Sequence, residues 1–251
     1  MVGVSVKKGV EVQSSTSGKG SAAEPHRGEG AESKLAIEES LKAIDEDRHA
    51  LLVVAERMAR AHGASLYPFD VLAIGAIARS LALSKGFTEL IRQRNLVCAG
   101  ALVRLQLDTA LRFTAGWLVD DPHDFAMKVL GGTRINRLKD RDGKDLHDRR
   151  LVESAAGEHP WVRRVYDVAS DFVHLSDRHM WRAFGLADDG TKFRISVSSE
   201  DPPGLEDSYM EAIKYFREST HLLLHYLEGW IFTKDNPSLI RQMKLDRERR
   251  T

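Results

Sequence analysis

Apolar residues recur every three to four positions over most of the chain from about residue 31 onward, which is the spacing of one face of an α-helix. The first such run ends before Gly63. A second run begins at Pro68, a residue favoured in a first helical turn, and Gly86 is expected to end or bend it. The pattern predicts two long helices in the first part of the chain.

The third run, residues 95–120, is apolar nearly all round, as in a central helix that its neighbours cover. Only Arg104, Asp108 and Arg112 interrupt it. Each of these charges would cost about 2.5–3.5 kcal/mol in the hydrocarbon of a membrane. The run therefore predicts a buried core helix, and we expect no membrane span.

Later patterns predict a short helix at 122–130, helices at 146–156 and 160–175, and a long amphipathic helix after Gly204. Alternating residues around a turn-like ADDG sequence predict a two-stranded hairpin at about 181–198. Such a hairpin is marginally stable alone and must pack on helices. The predicted fold class is mostly α, a helical bundle with a small β-hairpin inserted before the last long helix.

The first thirty residues differ in composition from the rest of the chain. Residues 1–30 are rich in Gly, Ser, Glu and Lys and carry few bulky apolar side chains. Burial of apolar surface must offset the entropy lost on ordering, and this segment offers little of it. It also lacks the apolar stretch of a secretion signal. We predict a disordered tail at 1–30 and a single helical domain at 31–251.

Charge and cysteine content bear on partners and compartment. The 37 Lys and Arg residues balance 37 Asp and Glu residues, so no global field draws the protein to nucleic acid or to an anionic membrane. Any binding to RNA must then be local. The one cysteine, Cys98, allows no intramolecular disulfide, and we expect it to be a small buried hydrophobe. These features predict a cytoplasmic protein.

The first candidate site is the charged set on the third helix. Arg104, Asp108 and Arg112 are spaced four apart, so they project from neighbouring turns of one face. One interpretation is a ladder of ion pairs that satisfies itself inside the core. The other keeps an arginine to hold an anion such as a phosphate, which the forked guanidinium suits.

The second candidate site is near the end of the helix at 160–175. Ser170 and His174 are four residues apart and Asp171 and His174 are three apart, so they share a helix face. A carboxylate near an imidazole orients it and favours its charged form, as a general acid or base requires. The alternative is a histidine that simply occupies a helix C-terminus, where its charge is favoured.

Two segments resemble known bacterial families. The run GALVRLQLDTALRFTAGWL, followed by VYDVASDFVHLS, resembles families of unknown function whose central helix carries an Arg and an acidic residue and whose later helix ends in a Ser and His motif. Those families are similar in helical layout to the HEPN superfamily, many of whose members are metal-independent ribonucleases in toxin and antiphage systems. The resemblance covers roughly residues 70–180. It implies that His174 handles a proton and Arg104 the phosphate charge.

The HEPN signature is an Arg, four to six residues, and then a His on one helix. No Arg stands at that distance before His174. The spacing occurs instead at Arg57 to His62 and at Arg141 to His147, as chance alone produces in an arginine-rich chain.

A metal site is the third candidate, because His221, His225 and Glu228 fall on one side of the last long helix. Histidines among leucines are also typical of the boundary of an amphipathic helix, and the helix has no second pair of the kind that a di-metal site uses. We expect no metal and no cofactor.

The pattern favours a binding or regulatory module with a polar pocket lined by Arg104, Asp108 and His174. These three residues and Ser170 are the catalytic candidates, and Arg112 and Asp171 are the ligand-binding candidates. The alternative function is a HEPN-like ribonuclease. A homodimer is the partner we expect, and RNA is a second partner that the net charge does not indicate.

Overall fold

The protein is mostly α-helical, as the sequence predicts. The computed structural model describes residues 10–14, 29–177, 179–180, 184–186, 193–198, 200–202 and 204–238, and every structural statement below concerns these residues. The helices are α1 (Glu29–Ala64), α2 (Pro68–Arg92), α3 (Leu96–Thr114), α4 (Pro122–Leu130), α5 (Asp148–Glu158), α6 (Trp161–Val173) and α7 (Glu206–Asp235). Short 3-10 turns lie at Ala115–Trp117 and Ile135–Arg137.

Helix α3 is the centre of the bundle, in contact with α2, α5, α6 and α7. Its core side is formed by residues such as Leu107, Ala110 and Phe113, all of them buried. The helix ends at Thr114, earlier than predicted, and the chain tightens into the first 3-10 turn. The prediction of a central buried helix is confirmed, and its predicted end at residue 120 is wrong.

Of two further predicted helix ends, one differs from the structure and the other agrees with it. Helix α2 continues through Gly86, where a Cβ atom would lie 3.4 Å from the Cδ1 atom of Leu102, an ordinary contact distance. Gly86 therefore lies inside the helix next to α3 and does not end it. Helix α1 leaves helical geometry as expected before Gly63, because His62 and Gly63 both have positive φ, 51° and 66°.

Short strands accompany the helices. They are β1 (Val10–Ser14), β2 (Phe184–Leu186) and β3 (Phe193–Val197), with β3 between β1 in parallel and β2 in antiparallel pairing. The residues that would connect β2 to β3 lie outside the described residues, so the predicted hairpin stays a prediction. Most of the predicted tail also lies outside them, although β1 falls within it.

Cys98 is exposed rather than buried, so the expectation for it was wrong. It lies in the first turn of α3, where its backbone N–H donates to the Oδ1 atom of the N-cap residue Asn95 at 3.1 Å. The residues that face the core at this end of the helix are Leu96 and Ala99 instead.

Within the described residues, α2 has the length and apolar composition of a helix that crosses a membrane. Its most apolar window has a mean hydropathy of 1.3, and 33% of that window is buried inside the protein. Core helices of soluble proteins meet the same criteria, and α2 buries Phe69, Ala73 and Ile77 against its neighbours.

Candidate functional site

The charged face of α3 meets the start of α5. Asp148, the first residue of α5, accepts a hydrogen bond from the Nη2 atom of Arg104 at 2.9 Å and another from the Nη2 atom of Arg112. Asp108 accepts from the Nε atom of Arg112 at 3.1 Å and lies 3.8 Å from the Nη1 atom of Arg104. The guanidinium of Arg104 also stacks over the ring of Tyr166, 4.1 Å from its centre.

This arrangement brings together three of the predicted site residues and adds one that the sequence did not identify. Asp148 joins Arg104 and Arg112, which gives the cluster two positive and two negative groups. The side chain of Arg104 is only 12% exposed, so its charge needs this pairing. The carboxylate of Asp148 also stands in the first turn of α5, where the helix dipole favours a negative charge.

A cavity of about 520 Å³ opens on the other side of the same charged face. It is open to solvent and is lined by α2, α3, the end of α4 and the second 3-10 turn. Its lining is largely apolar with a few charged groups: Val71, Leu72, Gly75, Ala76, Arg79, Asp108, Thr109, Arg112, Phe113, Leu130, Arg134, Ile135 and Asn136. Arg112 and Asp108 therefore belong both to the ion-pair cluster and to the cavity wall.

The cavity carries an excess of positive charge. Arg79 donates from its Nε atom to the hydroxyl of Thr109 at 3.0 Å, and the side chain of Arg134 makes no hydrogen bond or ion pair with any described residue. Neither arginine has a carboxylate partner in the described part of the chain. Arg112 is already balanced within the ion-pair cluster by Asp108 and Asp148, so Arg79 and Arg134 supply the excess positive charge, which favours an anion in the cavity.

Sequence reasoning missed Arg79 and Arg134. A signal for Arg134 existed in the sequence TRINR, where Ile135 is an isolated apolar residue in a polar stretch. A lone isoleucine in such a stretch indicates that the loop returns to the protein body, which is where Ile135 packs. No comparable signal marks Arg79, which is one of several charges on α2.

The second predicted set is not assembled into a site in the described residues. The hydroxyl of Ser170 donates to the backbone carbonyl of Tyr166 at 2.7 Å, a bond within α6. His174 follows the last residue of α6 as its C-cap, exposed, with its backbone N–H donating to the carbonyl of Ser170 at 3.2 Å. The backbone carbonyl of Asp171 accepts from the hydroxyl of Ser176 at 2.9 Å.

No hydrogen bond between side chains joins Ser170 to His174, and none joins His174 to Arg104, as far as the structure describes the chain. The predicted pocket of Arg104, Asp108 and His174 is therefore present only in its α3 part. The helix-end interpretation of His174 fits the observed geometry.

The two matches to the HEPN spacing are occupied in other ways. Arg57 pairs with a carboxylate on α7, and His62 makes a hydrogen bond of 2.7 Å between its Nδ1 atom and the hydroxyl of Tyr67. Arg141 donates to backbone carbonyls at the end of the first 3-10 turn, and His147 lies at the start of α5. His62 lies where α1 has already left helical geometry, and Arg141 and His147 both precede α5, so neither pair lies on one regular helix as the signature requires.

The predicted metal trio on α7 is divided among separate contacts. His221 makes a hydrogen bond of 2.7 Å between its Nε2 atom and the Oδ1 atom of Asp47, and Glu228 pairs with Arg57. Only His225 remains near other candidate ligands. His221 and Glu228 therefore contact α1, whereas His225 lies beside the end of α5.

Asp47 on α1 is nearly buried and is held by two groups on α7. Arg217 donates from its Nε atom at 2.8 Å, and His221 makes the contact just described. Burial would raise the pKa of Asp47, but the hydrogen bonds from His221 and Arg217 outweigh it, so the pKa lies below the ordinary value of 3.8. The contacts of Asp47 with Arg217 and His221 stabilise the packing of α1 on α7.

Comparison with known proteins finds no family model, no curated protein and no solved structure that matches the chain. The fold and the site therefore define its class: a helical bundle with an arginine-lined cavity beside an ion-pair cluster on the central helix. The HEPN resemblance stays a prediction.

Proposed function

We propose that the protein is a binding module, and that the cavity between α2, α3 and α4 holds a small anionic molecule with an apolar portion. The observation that carries this proposal is the pair of arginines, Arg79 and Arg134, that border the cavity without a carboxylate partner in the described chain. Unpaired guanidinium groups beside a concave apolar surface are suited to a carboxylate or phosphate.

The size and lining of the cavity support the same proposal. Sites for small molecules are commonly about 300–1,000 Å³ and mainly apolar, with a few placed polar groups. The cavity of about 520 Å³ has this character, with Phe113 and Leu130 among its apolar residues. The apolar part of a ligand would pack against these side chains while its anionic group meets the arginines.

Arg112 and Asp108 have a different part in this proposal. Their mutual hydrogen bond and the pairing of Arg112 with Asp148 hold both side chains in place before a ligand enters. A preorganised wall lowers the ordering cost of binding. Asp108 then offers a carboxylate oxygen to a hydroxyl or amine on the ligand, and Arg112 offers a fixed positive charge.

A fluorescent probe with the proposed chemistry tests the assignment. Anilinonaphthalene sulfonate carries an anionic group on an apolar ring system, and phenylnaphthylamine is a neutral analogue. We expect saturable binding of the anionic probe that weakens about tenfold or more in the Arg79→Gln/Arg134→Gln variant, the equivalent of about 1.4 kcal/mol. Binding of the neutral analogue should change much less.

Arg137 provides a matched control, because it lies in the same 3-10 turn as the cavity residues and is exposed, but does not line the cavity. Arg137→Gln should leave the affinity for both probes unchanged. Thermal melts of each variant exclude unfolding as the cause of a change. Equal affinity of the anionic probe for wild type and double variant would overturn the proposal.

The HEPN-like ribonuclease is the alternative hypothesis and has less support. Arg104, the residue expected to meet phosphate, already donates to Asp148 and stacks on Tyr166. In this hypothesis the exposed His174 is the candidate for proton transfer. Cleavage of structured RNA by wild type, lost in both Arg104→Ala and His174→Ala, would favour this alternative over the binding module.

A further inference from the structure

Three potential metal ligands meet where α5 ends beside α7. Glu158 is the last residue of α5, His159 is its C-cap, and His225 lies on α7. One ligand atom from each residue lies within 4.8 Å of the corresponding atoms of the other two. Two imidazole nitrogens and one carboxylate are a ligand set that Zn²⁺ and neighbouring divalent transition metals accept.

The side chains of this cluster have few partners among the residues that the structure describes. The Nε2 atom of His159 is buried and has no hydrogen-bond partner in that part of the chain. Glu158 makes no ion pair with any described residue, and the side chain of His225 makes no hydrogen bond with any of them. Buried polar atoms are nearly always satisfied in native proteins, so an unpaired imidazole nitrogen in this position calls for a partner.

The distances allow an ion with small side-chain movements. Ligands bound at about 2.0–2.2 Å around a tetrahedral zinc lie about 3.4 Å apart, so no pair of ligand atoms in the cluster must approach by more than about 1.4 Å. Glu158 and His225 are exposed and can turn toward the ion without movement of their helices. The ring of His159 is flanked by Trp161 and Tyr226, each 6.4 Å away between ring centres, which limits its orientations.

We propose that Glu158, His159 and His225 bind one divalent transition-metal ion of the Zn²⁺ type. The three protein ligands leave the fourth tetrahedral position to water, as in sites where the metal takes an additional ligand. The ion joins the C-terminus of α5 to α7. Since this cluster shares no residue with the arginine-lined cavity, the proposal does not depend on the proposed function.

Calorimetric titration with Zn²⁺ tests the site, with full-length protein that carries no affinity tag and has been treated with chelator. We expect one saturable binding event per chain. Zinc at about a hundred times its Kd should raise the Tm by roughly 5–10 °C. The visible absorption of bound Co²⁺ should report tetrahedral coordination.

Variants assign the binding to these residues. His225→Ala and Glu158→Gln change exposed side chains, so both should fold normally, and each should weaken Zn²⁺ binding tenfold or more. His49→Ala, which removes an exposed histidine outside the cluster, is the matched control and should bind as wild type does. Circular dichroism of each variant confirms folding. Absence of saturable binding in wild type, or unchanged binding in folded His225→Ala, would overturn the proposal.

Discussion

Replacement of Lys234 by methionine, which preserves most of the side-chain length and removes the ammonium group, should destabilise the protein by about 3–5 kcal/mol. Lys234 and Asp70 form a buried ion pair 3.0 Å long, with side chains only 1% and 2% exposed. Loss of one partner leaves the other charge buried without compensation, and that is the main source of the cost.

The hydrogen bonds around the pair show which single variant leaves the remaining buried charge with weaker partners. Asp70 accepts three hydrogen bonds, from Lys234, from the indole Nε1 of Trp230 at 2.6 Å and from the backbone N–H of Tyr67 at 2.7 Å. Lys234 has one further acceptor, the backbone carbonyl of Met58 at 2.8 Å. In Lys234→Met the carboxylate keeps two donors, whereas in Asp70→Asn the ammonium keeps one neutral carbonyl and an uncharged amide. We therefore expect Asp70→Asn to cost at least as much.

The double variant measures the interaction between the two charges separately from the effect of each side chain alone. Asp70→Asn/Lys234→Met contains neither buried charge, so it should lose less stability than the two single variants added together. The difference, a coupling free energy, should be about 1–3 kcal/mol. Lys214→Met changes an exposed lysine on the same helix and should alter stability by less than about 0.5 kcal/mol.

Urea unfolding followed by circular dichroism gives the free energy of unfolding of all four variants, and thermal melts give a second measure. A cost of about 3–5 kcal/mol corresponds to a decrease in Tm of roughly 6–20 °C for a chain of this size. Single variants that unfold within about 1 kcal/mol of wild type would refute the assignment of this pair as a stabilising contact between α2 and α7.

Three further outcomes follow from the described contacts. Because the folded pKa of Asp47 is below 3.8, its stabilising effect is complete at neutral pH and lost as the pH falls through that lower value; urea unfolding should find Asp47→Asn less stable than wild type at pH 7, and the two should converge in acid. A Cβ atom at Gly116 would overlap the ring of Phe69, so thermal melts of Gly116→Ala should show a loss of about 1–3 kcal/mol. Arg104→Ala should cost about 1–3 kcal/mol on unfolding through its lost charged hydrogen bond, while His174→Ala, at an exposed helix end, should change stability by less than about 0.5 kcal/mol.

The helices were predictable because the apolar residues that form their packing surfaces recur every three to four positions along the chain. The range 122–130 was predicted and is observed as Pro122–Leu130, where Pro122 begins the helix and Asp121 caps it by accepting from the backbone N–H groups of His123 and Asp124. The spacing of Arg104, Asp108 and Arg112 likewise gave their common face correctly, since residues four apart on a helix are neighbours.

Long-range partners were not predictable, because no local pattern encodes them. Asp70 and Lys234 are 164 positions apart, and each alone resembles an ordinary surface charge of an amphipathic helix. The hydrogen bonds from Arg104 and Arg112 to Asp148 depend on how α5 packs against α3. Hydrophobic periodicity does not predict which helices pack together. The place of Gly86 inside α2 was not predictable for a related reason, because a glycine that ends a helix and a glycine inside a helix look identical in one sequence.

The charges on α3 can form both a self-satisfied set of ion pairs and part of an anion site, because the individual residues have different surroundings. Arg104 is nearly buried, stacked on Tyr166 and bonded to Asp148, so its contacts fit the self-satisfied ion pair. Arg112 and Asp108 line the cavity while they remain bonded to each other, so they fit an anion site as well. Asp148 bonds to both arginines, and any movement of Arg112 toward a ligand must therefore weaken or redirect a contact that positions α5. A ligand bound in the cavity as proposed would in this way bias the position of α5 through Asp148, provided that it binds one position of α5 more tightly than another.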